Sequence, residues 1–274
     1  MDRIDFLGFV LLLRDISRLD RYSTRHFIAV SNAIAAILLY RWVRDGAGPN
    51  MPSGEGAGLL AALIFLSALP IADGMRVNAR SPMLVGVLFA VRANKPEYRG
   101  SALAAGALCS QYAIFGAPVL AYQTLRERGW EGVVRYTIAG ILTVVVAFLP
   151  LLVIWGWPSL IGGIENGLLS QYRPLTEQPV RNIFVNPRGW AVGVFFLSQF
   201  LLFEVILTVS AIAIHIHRTW TGSREWYSLP IVLTLIYTLP LFVKTMGYYV
   251  LHVLPFAAVV SVGVIASLIQ IRDE

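Results

Sequence analysis

Eight blocks of apolar residues constrain this chain more than any motif in it: 27–43, 57–72, a short one at 82–91, 101–125, 136–157, 190–216, 229–243 and 249–271. Backbone N–H and C=O groups in lipid must find partners within the chain, and no block alternates like a barrel strand, so each reads as helix. Composition agrees. The 274 residues are 57% hydrophobic and 14% charged, with a mean hydropathy of +0.67, whereas soluble chains carry about 25% charged residues. The expected fold is all-α, a polytopic transmembrane helical bundle of eight to nine membrane segments in the cytoplasmic (plasma) membrane. A disordered tail, a coiled coil and a secreted disulfide scaffold are excluded.

The net charge of +6 and the pI near 9.7 do not indicate a nucleic-acid partner. The cations stand singly in short loops, which is how membrane orientation is encoded. Block 101–125 carries Gln111, Tyr112, Gly116 and Pro118 in its middle and reads as a broken helical hairpin. As a hairpin it places Arg92, Lys95 and Arg99 on the same side as Arg126, Arg128 and Arg135. That side then collects nine cations in short loops after residue 91 and the other side four, so the basic side is expected to be cytoplasmic. Residues 1–25 read as an interfacial segment with no cleavable signal, and 26–274 as a single membrane domain with a long outer loop at 158–189. Cys109 lies in an apolar run and is expected in the core.

Candidate site residues gather on the expected outer side. A helix broken at Gln111-Tyr112 frees backbone groups that must line a cavity or be buried in protein. Arg173, Arg181 and Lys244, beside Tyr172, Tyr248 and Tyr249, suit a phosphate or pyrophosphate headgroup, although interfacial anchoring uses the same residue types. His252 reads either as a ligand or general base or as a packed polar residue. Glu204, deep in an apolar helix, costs about 2.5–3.5 kcal/mol there unless it is neutral or faces the interior. His215 and His217 point to different faces of one helix and make poor joint metal ligands. No catalytic residue stands out; Asp73, at a helix end, is the nearest candidate for a general base. No Walker loop, HExxH or Asp-x-Asp occurs, so no cofactor is indicated, and a divalent metal stays open.

Several stretches, taken in order, resemble the polyprenyl-phosphate-sugar-dependent glycosyltransferases of the GT-C superfamily. One is Tyr98-Arg99-Gly100-Ser101-Ala102, a basic loop entering a small-residue helix that continues into Cys109-Ser110-Gln111-Tyr112 and Ala117-Pro118. Another is the basic turn Arg126-Glu127-Arg128-Gly129-Trp130, and a third is Tyr248-Tyr249-Val250-Leu251-His252-Val253-Leu254-Pro255, with His252 where the family often has proline. The stretch ending Leu38-Leu39-Tyr40-Arg41 resembles the helix that follows the family's catalytic loop. The resemblance implies sugar transfer from a lipid-phosphate donor on the outer face. Gln111, Tyr112, Tyr172, Arg173, Lys244, Tyr248, Tyr249 and His252 would then lie around that donor. The family's catalytic carboxylate sits in a first outer loop, and residues 1–13 match the apolar run just after it, so the N-terminal helix and that loop are expected to be missing. The expected partners are membrane lipids, the polyprenyl-phosphate sugar donor and, alternatively, a membrane protein. A transporter or flippase using Glu204, or a non-catalytic subunit binding a lipid-phosphate carrier, are the rival readings.

Overall fold

Wherever the apolar blocks fall among the residues that the computed structural model describes (21–47, 51–69, 79–164, 229–243 and 251–273), they are helical, and no strand occurs among those residues. In chain order the helices are α1 (Arg21–Arg44), α2 (Glu55–Ala68), α3 (Arg80–Arg92) and α4 (Pro96–Cys109). A 3-10 helix (Gln111–Gly116) follows, then α5 (Ala117–Ile164), α6 (Leu229–Val243) and α7 (Leu254–Asp273). Local chemistry sets several of these boundaries. Pro96 opens α4, where its fixed φ suits a helix and its missing N–H is no loss. Ser110 closes α4 in an extended conformation (φ −155°, ψ 125°), so the 3-10 helix starts in a new direction.

Helix α5 is not a single rod. Gly129 (φ 69°, ψ −168°) interrupts it in a region where side-chain-bearing residues are strained. A Cβ on Gly132 would lie 3.2 Å from the Thr124 methyl, and the Tyr136 hydroxyl reaches the Ala117 carbonyl at 3.3 Å. In a straight helix, residues 117 and 136 would be roughly 28 Å apart. Residues 117–128 therefore run back along α4, and residues 130–155 turn again and run parallel to it, to a second interruption at Gly156 (φ 73°).

These turns sort the helix ends into two groups. The C-terminal ends of α1 and α3 meet where Arg44 and Arg92 both contact Asp45, at 2.8 and 3.0 Å. At the same end Arg99, only 4% exposed, bridges α4 to residues 117–128. It donates to Thr124 Oγ1 at 2.8 Å and to the Ala93 carbonyl at 3.0 Å, and it pairs with Glu127 at 3.0 Å. The expected broken hairpin is thus present, with Lys95 and Arg99 on the same end as Arg126 and Arg128. The opposite end holds Arg80, the 3-10 helix and residues 251–254.

Small residues let the helices approach closely, a common device in membrane bundles. A Cβ on Gly86 would lie 2.7 Å from the backbone of Gly106, joining α3 to α4. A Cβ on Gly100 would overlap the Tyr136 carbonyl oxygen, joining α4 to residues 130–155. One contiguous core results, contributed by α1 (Leu39, Trp42), α2 (Phe65), α3 (Met83, Leu88), α6 (Leu233, Tyr237) and α7 (Phe256, Val259).

Two described helical stretches are long and apolar enough to cross a membrane, Arg25–Arg44 and Gln111–Ser159. Within the second, an 18-residue window of mean hydropathy 2.7 has none of its residues buried. Ile138, Ile141, Leu142, Val145, Val146 and Leu149 are all more than half exposed, far beyond the apolar patches water-soluble monomers leave uncovered.

One sequence expectation changes. Cys109 is exposed at the last residue of α4 rather than in the core, where the chain leaves the helix and no neighbouring helix covers it. Helix α1 runs continuously from Arg21 to Arg44. Helical structure resumes after the interruption at Gly156 and continues past Pro158 to Ile164. The block 190–216 and the rest of the loop expected at 158–189 lie outside the described residues.

Candidate functional site

The break between α4 and α5 gathers the described site residues. At a chain break inside apolar surroundings every backbone polar group needs a partner. Here the Ser110 N–H reaches the Gly106 carbonyl at 3.0 Å and the Ala113 N–H the Ser110 carbonyl at 3.1 Å. Two tyrosines complete the set. Tyr237, fully buried, donates its hydroxyl to the Ala113 carbonyl at 3.0 Å, and Tyr136 donates to the Ala117 carbonyl. A side chain on Gly116 would put its Cβ 2.6 Å from the Tyr237 oxygen, so a glycine is required for that approach. Of the two readings of the break, a cavity lining or burial in protein, these carbonyls follow the second, satisfied by tyrosine side chains.

Tyr237 is held in turn by aromatic packing. Its ring stacks on Phe256 at 5.2 Å and 9°, and Phe256 meets Trp42 edge-on at 6.2 Å. Helices α1, α6 and α7 thus fix the position of the 3-10 helix, which lets a short irregular segment act as a rigid platform.

On that platform Tyr112 and His252 come together. Their rings lie 4.9 Å apart, tilted by 32°, and Tyr112 also stacks with Phe115 at 6.3 Å. The guanidinium of Arg80 sits 5.9 Å from the Tyr112 ring centroid, within cation–π range. Three elements that are remote in sequence, the start of α3, the 3-10 helix and the turn before α7, so converge on one cation–aromatic–imidazole cluster. Tyr112 and His252 are buried, at 8% and 0% exposure, while Gln111 and Arg80 are partly exposed beside them.

Of the sequence candidates, the structure places Gln111, Tyr112 and His252 at this end. Asp73, Tyr172, Arg173, Lys244, Tyr248, Tyr249 and Glu204 lie outside the described residues. The contact of Arg80 with Tyr112 has no sequence signature. The described carboxylates Asp45, Glu55, Glu97, Glu127 and Glu131 all sit toward the opposite, basic end, where Asp45 is held below the ordinary carboxylate range by the hydrogen bond from Arg44 and then by Arg92. Among the described residues no group of three His, Cys, Asp or Glu side chains is placed to hold a metal ion.

The chemistry available is recognition: a guanidinium and an amide, both on partly exposed residues, lie next to an aromatic cluster, a combination suited to a phosphate ester attached to a sugar or an apolar chain. Comparison with protein-family models, with characterised proteins and with solved structures returned no match.

Proposed function

We propose that this chain is a multi-pass membrane glycosyltransferase of the GT-C type, taking a sugar from a polyprenyl-phosphate-linked donor at the outer face of the cytoplasmic membrane. The observation that carries the reading is the broken hairpin with Arg80, Gln111, Tyr112 and His252 at its apex. Its two arms have 14 and 12 residues, about 21 and 18 Å long, too short for a hydrocarbon core of about 30 Å. The apex therefore stops inside the membrane, below the outer surface. An arginine at that depth marks a substrate path by default.

In this reading the donor's phosphate meets Arg80 and Gln111, and its sugar or first isoprene unit lies beside the Tyr112–His252 cluster; Arg173 and Lys244 join the donor set on the sequence resemblance alone. Cations fixed there stabilise the negative charge that develops on the leaving phosphate as the sugar–oxygen bond breaks. The proton acceptor for the incoming hydroxyl is Asp73 in this proposal. The basic end, with Arg92, Lys95, Arg126 and Arg128, faces the cytoplasm.

A second reading is favoured by one observation, the placement of the described carboxylates at the basic end. It makes the chain a subunit that binds the lipid-phosphate carrier without transferring the sugar. Purified protein in liposomes, given a labelled polyprenyl-phosphate sugar and an acceptor extract, separates the two. Transfer lost in Tyr112→Ala supports the enzyme. Donor binding lost in Tyr112→Ala, with no transfer by the parent protein, supports the subunit. Vectorial movement of the donor or another solute without either would support a transporter.

A further inference from the structure

The basic end carries a second feature that the outer-face reading does not use. Where α4 begins and residues 117–128 turn into residues 130–155, the surface is hollowed into a cleft of about 540 Å³, within the range of small-molecule sites. Lys95, Arg128 and Arg135 line it together with Glu97 and Glu131. Arg135 is already engaged, by Glu131 and by Glu97 at 3.5 Å. Among the described residues Lys95 and Arg128 form no ion pair; Lys95 lies over the Tyr98 ring at 5.5 Å. The lining side chains therefore sum to a net charge of +1, with Lys95 and Arg128 as the two cations outside its ion pairs.

What lies next to the cleft identifies the occupant. Trp130, 73% exposed, is the chain neighbour of the lining residue Glu131, and Val134, Ile138 and Ile141 continue from it along one face of the same helix, each more than half exposed. A cationic hollow at the head of an uncovered apolar stripe has the shape and polarity of a phospholipid: headgroup in the cleft, acyl chain along the stripe. Tryptophan and tyrosine at the junction are the side chains that favour the membrane interface.

We propose that this cleft is a binding site for the phosphate headgroup of an anionic phospholipid of the cytoplasmic leaflet. The proposal rests on the membrane reading but not on glycosyl transfer. A bare phosphate compound from the cytosol would share the headgroup chemistry but would not use the stripe.

The test uses the full chain in detergent micelles, with native mass spectrometry read out against added phosphatidylglycerol, phosphatidylcholine and inorganic phosphate. Phosphatidylglycerol should be retained and phosphatidylcholine not. Each of Lys95→Gln and Arg128→Gln should weaken retention roughly fivefold, the size expected for one interfacial cation. Val134→Asn should also weaken it. Arg41→Gln, an exposed cation at the same end but outside the cleft, should leave it unchanged.

Equal retention of both lipids overturns the proposal, as does an equal loss in Arg41→Gln, which would signal unspecific charge. Competition by inorganic phosphate, with no effect of Val134→Asn, makes the ligand a soluble phosphate and overturns the lipid assignment. Flotation of the parent protein with liposomes is the control. Failure there overturns the membrane reading itself, whereas normal flotation without lipid preference overturns only the cleft.

Discussion

Replacing Gly100 with alanine adds one methyl group at the tightest helix contact in the described structure. The new Cβ would overlap the carbonyl oxygen of Tyr136, a backbone atom that no rotamer change can move. Relief requires α4 and residues 130–155 to separate along their shared face. That separation loosens the contacts that depend on it: Ser101 to the Ala139 carbonyl at 3.4 Å, Glu97 to Arg135 at 3.5 Å, and the packing of Gly140, whose Cβ position lies 3.4 Å from the Gly100 carbonyl. Overpacking costs about 1–3 kcal/mol, and a backbone clash belongs at the upper end, so a loss of about 3 kcal/mol is expected.

The same change at Gly56, on α2, meets nothing within 4 Å and serves as the control. It should be neutral or stabilising by up to about 1 kcal/mol, since alanine is the better helix former. Unfolding titrations in mixed micelles, followed by tryptophan fluorescence, give both values; buried Trp42 is one reporter. Equal stability for Gly100→Ala and the parent would refute the packing of α4 against residues 130–155, and with it the reversal at Gly129.

Three other changes probe the account elsewhere. Tyr237→Phe strands the Ala113 carbonyl in the core and should cost about 1–3 kcal/mol, read in the same titration; no loss would mean that the hydroxyl does not hold the break. Arg99→Met removes the side chain joining Ala93, Thr124 and Glu127, and a loss of about 2 kcal/mol is expected, with faster proteolysis at the basic end as a second readout. Asp45 has a lowered pKa, so its bonds to Arg44 and Arg92 contribute above the unfolded value of about 3.9 and are lost as pH falls through the lower folded value. The stability difference between the parent and Asp45→Asn should therefore be constant near neutrality and shrink in acid; a difference that grows in acid would contradict the pairing.

Much of the helical order can be read from hydropathy alone, because lipid and core both demand apolar runs long enough to show. The block 82–91 lies inside α3, and 229–243 coincides with α6. The broken hairpin is legible because two independent signals agree, polar residues in the middle of an apolar run and cations at both of its ends. The site is legible only in part. Tyr112 and His252 draw notice as polar rings in apolar stretches, but their meeting depends on α7 packing beside the 3-10 helix, a tertiary fact with no local signature. The same holds for Tyr237, which reads as one more aromatic in an apolar helix although it closes the break from 124 residues away. Cys109 misleads for the opposite reason: hydropathy gives its neighbourhood, not its face.

The most direct test of the central claim is sugar release from a labelled polyprenyl-phosphate donor by the purified chain in liposomes. Release should depend on an acceptor and fall at least about tenfold in Arg80→Gln, while the unfolding stability of that variant changes by less than about 1 kcal/mol. Release by neither the parent nor the variant, from protein shown to be folded and inserted, would contradict the account.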